Sequence, residues 1–231
     1  MKSILFLLLF LLNIVHYCFG QIAIGPEIGH YADNFIGSHK IDSLVINSAN
    51  GVDVGEPIFG IFAEVRLTKL IDVNVKFQFR DLLIPYEIYN DDDKIYGFTV
   101  RKMKITGIKN YSVQVLPQLT LPLLKTIETK LFLGPIINFN KINKSEDIQF
   151  RNGTRHQGVA EVFNSLNDSI LPTTITLAVG GSLSFKNIVV SLSMHQRNRI
   201  TKEINVYGVD HDFINQAIFY NFSLGYKLFK L

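Results

Sequence analysis

The sequence has 231 residues, of which 23 are basic and 20 acidic, so the formal net charge is only +3. Charges this few and this evenly spread give no basis for nucleic-acid binding, and no nucleic-acid partner is expected. The single cysteine, Cys18, lies in a leader-like segment, so the chain after it can form no internal disulfide and does not fit the class of disulfide-stapled secreted domains.

The first 20 residues have the pattern of a secretory signal. Lys2 supplies the positive start, residues 4–15 are apolar, and residues 18–20 place small side chains at a cleavage position. A transmembrane helix is the alternative, but the apolar run is short for a span. Lipidation at Cys18 is a weaker alternative, because residues 15–17 lack the small side chains such a site needs. We expect a signal peptide over residues 1–20 and one exported domain over residues 21–231.

Eight segments then alternate between apolar side chains and small or polar ones, the pattern of a strand with one apolar face. They cover about residues 21–31, 56–67, 73–80, 111–121, 127–139, 172–185, 188–197 and 218–229. A segment of about 11 residues with this pattern is long enough to cross a bilayer as a tilted strand. Pro117 and Pro122 argue against two long pairings of the fourth segment, because proline cannot donate to a ladder.

The connections between these segments alternate strictly between long and short. The long ones are predicted to be polar loops, at residues 32–55, between the third and fourth segments, at 140–170 and at 198–215, although residues 96–105 could extend the flanking strands. This alternation predicts an all-β fold, an eight-stranded antiparallel up-and-down transmembrane β-barrel with three short periplasmic turns and four outer loops. To close it, residues 218–229 must pair with residues 22–29.

Alternation does not by itself say which face meets lipid, and a soluble lipid-binding barrel would turn the apolar face inward. The polar face carries many glycines and opposed charges, which suit a narrow interior. We therefore predict a membrane barrel in which a salt-bridged lumen charge network, rather than a pore of porin size, is formed by Glu27, Glu64, Arg66, Lys76, Arg80 and Lys130.

Three short motifs occur in a characteristic order. They are the Leu121-Pro122-Leu123-Leu124 segment, the Gly134-Pro135 pair and the closing Leu224-Gly225-Tyr226 segment. In their order and spacing, nearly the whole exported chain resembles the PorT-like outer-membrane β-barrel family of Bacteroidetes. The resemblance implies a cell-envelope protein of the outer membrane. The chain departs from the family pattern in the prolines of the fourth strand and in ending on Leu231 rather than on an aromatic residue.

Two groups of residues could carry chemistry. Ser191, Ser193 and His195 share one face of the seventh strand and, with Glu27 or Glu64, contain the parts of a Ser-His-carboxylate lipid hydrolase. The second group is Asp210-His211-Asp212 together with Asp91-Asp92-Asp93, which could bind a metal or act as a hydrolase. Serines on a lumen face and acidic runs in loops are ordinary structural features, so no enzyme activity, cofactor or metal is expected.

The sequence therefore predicts a non-enzymatic protein of the cell outer membrane. Its predicted partners are outer-membrane lipid and, through the outer loops, an envelope protein, and its role is structural, adhesive or secretion-associated. A barrel-embedded lipid hydrolase and a soluble lipid-binding barrel are the alternatives.

Overall fold

The computed structural model describes residues 21–41, 44–48, 53–95, 98–121, 126–148, 157–206 and 208–230. The predicted signal peptide lies outside these residues and stays a prediction. In chain order the elements are β1 Ile22–Ile36, β2 Ser38–Ile41, β3 Leu44–Ser48, β4 Asp53–Arg66, β5 Ile71–Ile95, β6 Phe98–Leu121, β7 Glu128–Ile148, α1 Gln157–Asp168, β8 Thr173–Phe185, β9 Ile188–Arg199, β10 Ile204–Val206, β11 Val209–His211, β12 Gln216–Tyr226 and β13 Phe229–Lys230.

Eight of the strands close into an antiparallel barrel, as predicted. Going round the wall, the order is β1, β4, β5, β6, β7, β8, β9 and β12. β1 closes the sheet because it pairs with β4 on one side and with β12 on the other, in the register Glu27 to Gly225. Three connections, after Arg66, Leu121 and Phe185, are short, and they mark the periplasmic end of such a barrel.

Apolar side chains of the eight strands point away from the barrel. On β12, the outward residues Tyr220, Phe222, Leu224 and Tyr226 are each 45–50% exposed, while Asn221 and Ser223, and Lys227 directly after the strand, are buried inside. A soluble protein rarely exposes a continuous apolar surface of this extent. This orientation rules out the soluble lipid-binding barrel, whose apolar face would point inward. No helix in the described part of the chain has the length and apolarity needed to cross a membrane.

The apolar outer surface, called the apolar belt below, has the height of a membrane. On β5 it runs over the outward positions from Ile71 to Phe79, and on β7 from Leu131 to Phe139. Nine residues of a strand tilted by about 40° rise about 23 Å, close to the ~25 Å apolar band of outer-membrane barrels. The belt therefore fits a membrane-spanning wall.

The predicted polar loops are largely regular structure, which corrects the sequence interpretation. Residues 32–55 contain the end of β1, the β2–β3 hairpin and the start of β4, and β3 extends the sheet by pairing with β5. β5 and β6 continue past the belt as one long hairpin, as the sequence allowed for residues 96–105. Residues 140–170 hold the end of β7 and α1, and residues 198–215 hold the β10–β11 hairpin.

The polar and apolar faces of β5 exchange places at the upper edge of the belt, although the same alternate residues keep pointing inward. Below this point the interior residues are polar, as Lys76 and Gln78 are, and above it they are apolar, as Ile84 and Ile88 are. Above the membrane the outer face meets water, so the usual arrangement of an apolar interior returns. The outer ends of β1 and β5–β7, with β2, β3, α1, β10 and β11, thus form a folded structure that we call the cap.

Prolines interrupt one ladder of the wall without shifting its register. β6 and β7 pair through Gln114 with Ile136 and again through Gln118 with Phe132, and the pairs between are missing. Pro117 and Pro135 lie in this gap, and proline has no N–H to donate. Pro117 is therefore accommodated within a strand, while Pro122 lies outside the described residues.

Candidate functional site: barrel interior and cap

Three carboxylates and three cations meet inside the barrel at its periplasmic end. Lys130 lies at the centre, with its Nζ 2.6 Å from Asp72 Oδ2 and 2.9 Å from Glu64 Oε1. Lys227 Nζ also lies 2.9 Å from Glu64 Oε1. Arg66 Nε lies 3.2 Å from Asp72 Oδ1, and its guanidinium is also paired with Glu128. We call these six residues the periplasmic ion network, and its formal charges balance.

A second ion pair lies one layer further in. Lys76 Nζ is 2.5 Å from Glu27 Oε1, and both side chains are buried. Gln78 Nε2 donates to Glu27 Oε2 at 3.0 Å, and the Ser223 hydroxyl also donates to Glu27. Gln114 Nε2 donates in turn to Gln78 Oε1 at 2.6 Å. The carboxylate of Glu27 is thus bonded to residues of β5 and β12, on both sides of its own strand.

Arg80 occupies the boundary between the polar interior and the cap. Its Nε donates to Asn110 Oδ1 at 2.9 Å, and its guanidinium carbon lies 4.3 Å from the ring centre of Phe219 and 5.2 Å from that of Tyr31. Cation–π contacts of this kind are strongest where water is excluded, and Arg80 is only 3% exposed. Buried polar side chains thus occupy the described interior at three levels, from the periplasmic ion network to Arg80, which fits a side-chain-filled barrel without a pore of porin size.

The structure thus places the six predicted lumen residues in separate settings: Glu64, Arg66 and Lys130 in the periplasmic ion network, Glu27 and Lys76 in the second pair, and Arg80 at the base of the cap. Three members of the periplasmic ion network, Asp72, Glu128 and Lys227, were not in the predicted set. All have the strand parity of interior residues, Asp72 with Asn74, Glu128 with Lys130 and Lys227 with Gly225, and this signal could have identified them.

The cap has an apolar core of its own. Phe35 comes from the outer end of β1, Ile84 and Ile88 from the outer end of β5, Leu166 from α1 and Phe213 from the segment after β11, and all are at most 1% exposed. The ring centroids of Tyr86 and Phe213 are 6.1 Å apart. Burial raises the pKa of the Tyr86 phenol above its ordinary value. A core contributed by separate segments makes the cap a packed structure rather than a set of independent loops.

A polar cavity of about 760 Å³ opens in the cap. It is lined by α1, the segment after it, the end of β9 and the β10–β11 hairpin, through Ser165, Asp168, Ser169, Leu171, Arg199, Lys202, Glu203, Asn205 and Asp210. Arg199 lies 3.4 Å from Asp212, and Asn205 donates to Asp210 at 2.6 Å. The lining offers hydrogen-bond donors and acceptors and both signs of charge, a composition suited to a polar ligand.

The residues of the two candidate catalytic or metal-binding groups make other contacts in the structure. His195 Nε2 lies 2.8 Å from Asn221 Nδ2, and the His195 ring packs on Phe219, so the described contacts do not include a Ser-His pair. His211 packs on the ring of His39 at 5.8 Å, and Asp210 and Asp212 have the partners given above. The side chains of Asp91, Asp92 and Asp93 lie outside the described residues. Among the residues described, no three histidine, cysteine or acidic side chains are placed to hold a metal ion.

Solved structures of outer-membrane proteins resemble this fold. OprG from Pseudomonas aeruginosa is 11% identical, with a TM-score of 0.50, and the match covers 92% of this chain and 96% of OprG. Ail of Yersinia pestis is 14% identical over 92% of this chain and 99% of its own, with a TM-score of 0.39. Neisserial surface protein A is 12% identical over 89% and 98%, with a TM-score of 0.40. No protein-family model and no curated protein matches the sequence.

The likeness to OprG supports the fold. Together with the closed barrel and the apolar belt, it confirms the prediction of an outer-membrane β-barrel protein located in the outer membrane. At these identities the likenesses extend to the fold and not to what each protein binds.

Proposed function

We propose that this outer-membrane barrel acts through its cap, presenting the polar cavity to a ligand or to a protein partner outside the membrane, and that it is not an enzyme. One observation carries the proposal: the strands continue beyond the belt into a cap with its own apolar core and a polar cavity of about 760 Å³. A barrel that served only as a membrane anchor would not need such a packed outer structure. Adhesion and secretion-associated contact are both consistent with it.

Membership of the PorT-like family remains part of this proposal. Its support is the order of the three sequence motifs, two of which lie in β7 and β12. Those segments form the wall rather than the cap, so the family resemblance bears on the barrel and not on the ligand.

Site-specific photo-crosslinking on intact cells tests the role of the cap. A photoreactive residue is placed at Asn205, which lines the cavity, and in a second variant at Lys69, in an exposed periplasmic turn. We expect crosslinked products from position 205 and none from position 69. Products from position 69 alone would move the contact to the periplasmic side, and none from either would favour a purely structural role.

Two further measurements test the location. The protein should fractionate with the outer membrane and should migrate differently on gels before and after heating. Recovery as a soluble periplasmic protein would contradict the proposal.

A further inference from the structure

A row of charged side chains crosses the outer wall directly above the apolar belt. Asp81 of β5, Lys109 of β6 and Lys141 of β7 are consecutive register partners. All three have the strand parity of outward residues, and Lys141 is exposed while the other two are half-buried. The row therefore stands where the membrane-facing surface ends.

The row below it is aromatic. It consists of Phe79, Tyr111 and Phe139, one from each of the same three strands. The rings of Phe79 and Tyr111 are in contact, with centroids 5.2 Å apart. Tyrosine favours the membrane interface, where its ring meets hydrocarbon and its hydroxyl meets polar headgroups. The two lysines thus lie at headgroup height, and their alkyl stems can lie along the wall while the ammonium groups reach upward.

Lys109 and Lys141 are directly opposite each other across two antiparallel strands. Like charges in this arrangement destabilise a sheet. Asp81 neighbours Lys109 on its far side but does not separate the two lysines, so the row keeps one excess positive charge. Within the described part of the chain, neither lysine is engaged in an ion pair. A bound anion would remove the repulsion, and the chemistry that supplies an anion at this height is a lipid phosphate.

The row lies at the end of the barrel away from the three short connections, which in such barrels is the outer-leaflet side. We propose that Lys109 and Lys141 form a binding site on the outer wall for a phosphate group of the phosphorylated glycolipid of the outer leaflet. The inference rests on the location in the outer membrane, and it is separate from the proposed role of the cap.

Lipid A carrying two phosphates, and the same lipid with both removed, are the probes. Binding of each to the folded barrel in detergent micelles is measured by native mass spectrometry. The test variant is Lys109→Gln/Lys141→Gln, and the matched control is Lys69→Gln at the opposite end of the barrel. We expect about 30-fold weaker binding of phosphorylated lipid A by the double variant and about 5-fold by Lys141→Gln alone, from about 1 kcal/mol per lysine near a charged headgroup. Lys69→Gln should bind like the wild type, and the dephosphorylated lipid should not distinguish the variants.

Unchanged binding by the double variant, an equal loss in the Lys69→Gln control, or equal wild-type affinity for the two lipids would overturn the inference. Each variant is first examined for heat-modifiable migration. A wild-type protein that shows no heat-modifiable migration would contradict the folded membrane barrel on which this site depends, whereas a folded barrel whose lipid binding does not depend on the lysines would contradict only this site. If the double variant does not fold, lipid A binding by Lys141→Gln alone is the test, because Lys141 is exposed and its replacement should leave the barrel folded.

Discussion

Lys130 Nζ lies 2.6 Å from Asp72 Oδ2, and neither side chain is accessible to solvent. The two residues are on β7 and β5, with β6 between them in the wall, so the pair crosses the interior rather than following the sheet. Lys130 also contacts Glu64 of β4. One ammonium group thus joins three strands and balances two buried carboxylates, of which Asp72 is fully inaccessible to solvent.

Replacing Lys130 by methionine should strongly destabilise the barrel. The methionine would fill a similar volume but would leave Asp72 and Glu64 with too few cations. Removing one partner of a buried ion pair costs about 3–5 kcal/mol, because the other charge stays buried and uncompensated. The measurement is the free energy of unfolding in urea from lipid vesicles. The control Lys69→Met, in an exposed turn, should change it by less than about 0.5 kcal/mol.

A charge-balanced double variant separates the loss of the pair from the loss of packing. Lys130→Met combined with Asp72→Asn removes one charge of each sign, so the network stays neutral. We expect this double variant to recover a large part of the stability lost in Lys130→Met. A double variant as unstable as the sum of the two single changes would show that the two side chains act independently, and it would contradict the explanation by unbalanced buried charge.

The second prediction concerns Gly225, which lies close to the ring of Phe62. A side chain added at Gly225 would place its Cβ 2.8 Å from Cε1 of Phe62, inside the barrel beside the closing strands. Gly225→Val should therefore overpack the interior, which costs about 1–3 kcal/mol. Phe62→Leu in the same chain should relieve the clash and restore part of the stability. Because the three atoms nearest to a Cβ at position 225 all belong to the Phe62 ring, a double variant no better than Gly225→Val would contradict the explanation.

The wall could be predicted from the sequence and the cap could not, for one physical reason. In the belt, one face of each strand meets lipid and the other meets a polar interior, so residues such as Lys76 and Phe77 alternate sharply. Above the belt the faces exchange roles, and Leu82, Ile84 and Ile88 point inward. The sequence of β5 contains this exchange. A prediction that requires the apolar residues to stay on one face, however, ends the strand at the point where they move to the other face.

Which interior side chains pair with one another could not be predicted from the sequence, for a different reason. Strand parity places Glu64 and Lys227 inside the barrel, but they are 163 residues apart and meet only because the sheet closes. The choice of partner depends on register and stagger around eight strands. The same holds for His195, whose parity allowed a serine neighbour and whose hydrogen-bond partner is Asn221.

Shortening a buried side chain of the cap core should destabilise the cap while the barrel stays folded. Leu166 of α1 is fully buried in the cap core, and a leucine-to-alanine change at such a site costs about 2–5 kcal/mol. Leu166→Ala should make the cap more sensitive to protease added to intact cells, while heat-modifiable migration stays unchanged. Asn164→Ala, at an exposed position of the same helix, is the matched control and should resist protease like the wild type. Equal sensitivity of both variants would contradict a packed cap.

The lipid-hydrolase alternative is tested at His195. A histidine acting as general base must reach the hydroxyl of its nucleophile, but His195 Nε2 lies 2.8 Å from the amide nitrogen of Asn221, and the ring is buried against Phe219. We therefore expect His195→Asn to leave the acyl composition of outer-membrane lipids unchanged, as measured by mass spectrometry of lipid extracts from cells that produce each protein. Ser193→Ala is compared in parallel, because Ser193 pairs with Asn221 in the register of β9 and β12. If wild-type cells contained deacylated lipids that both variants lacked, the barrel would be an enzyme, and His195 would have to leave Asn221 during its reaction.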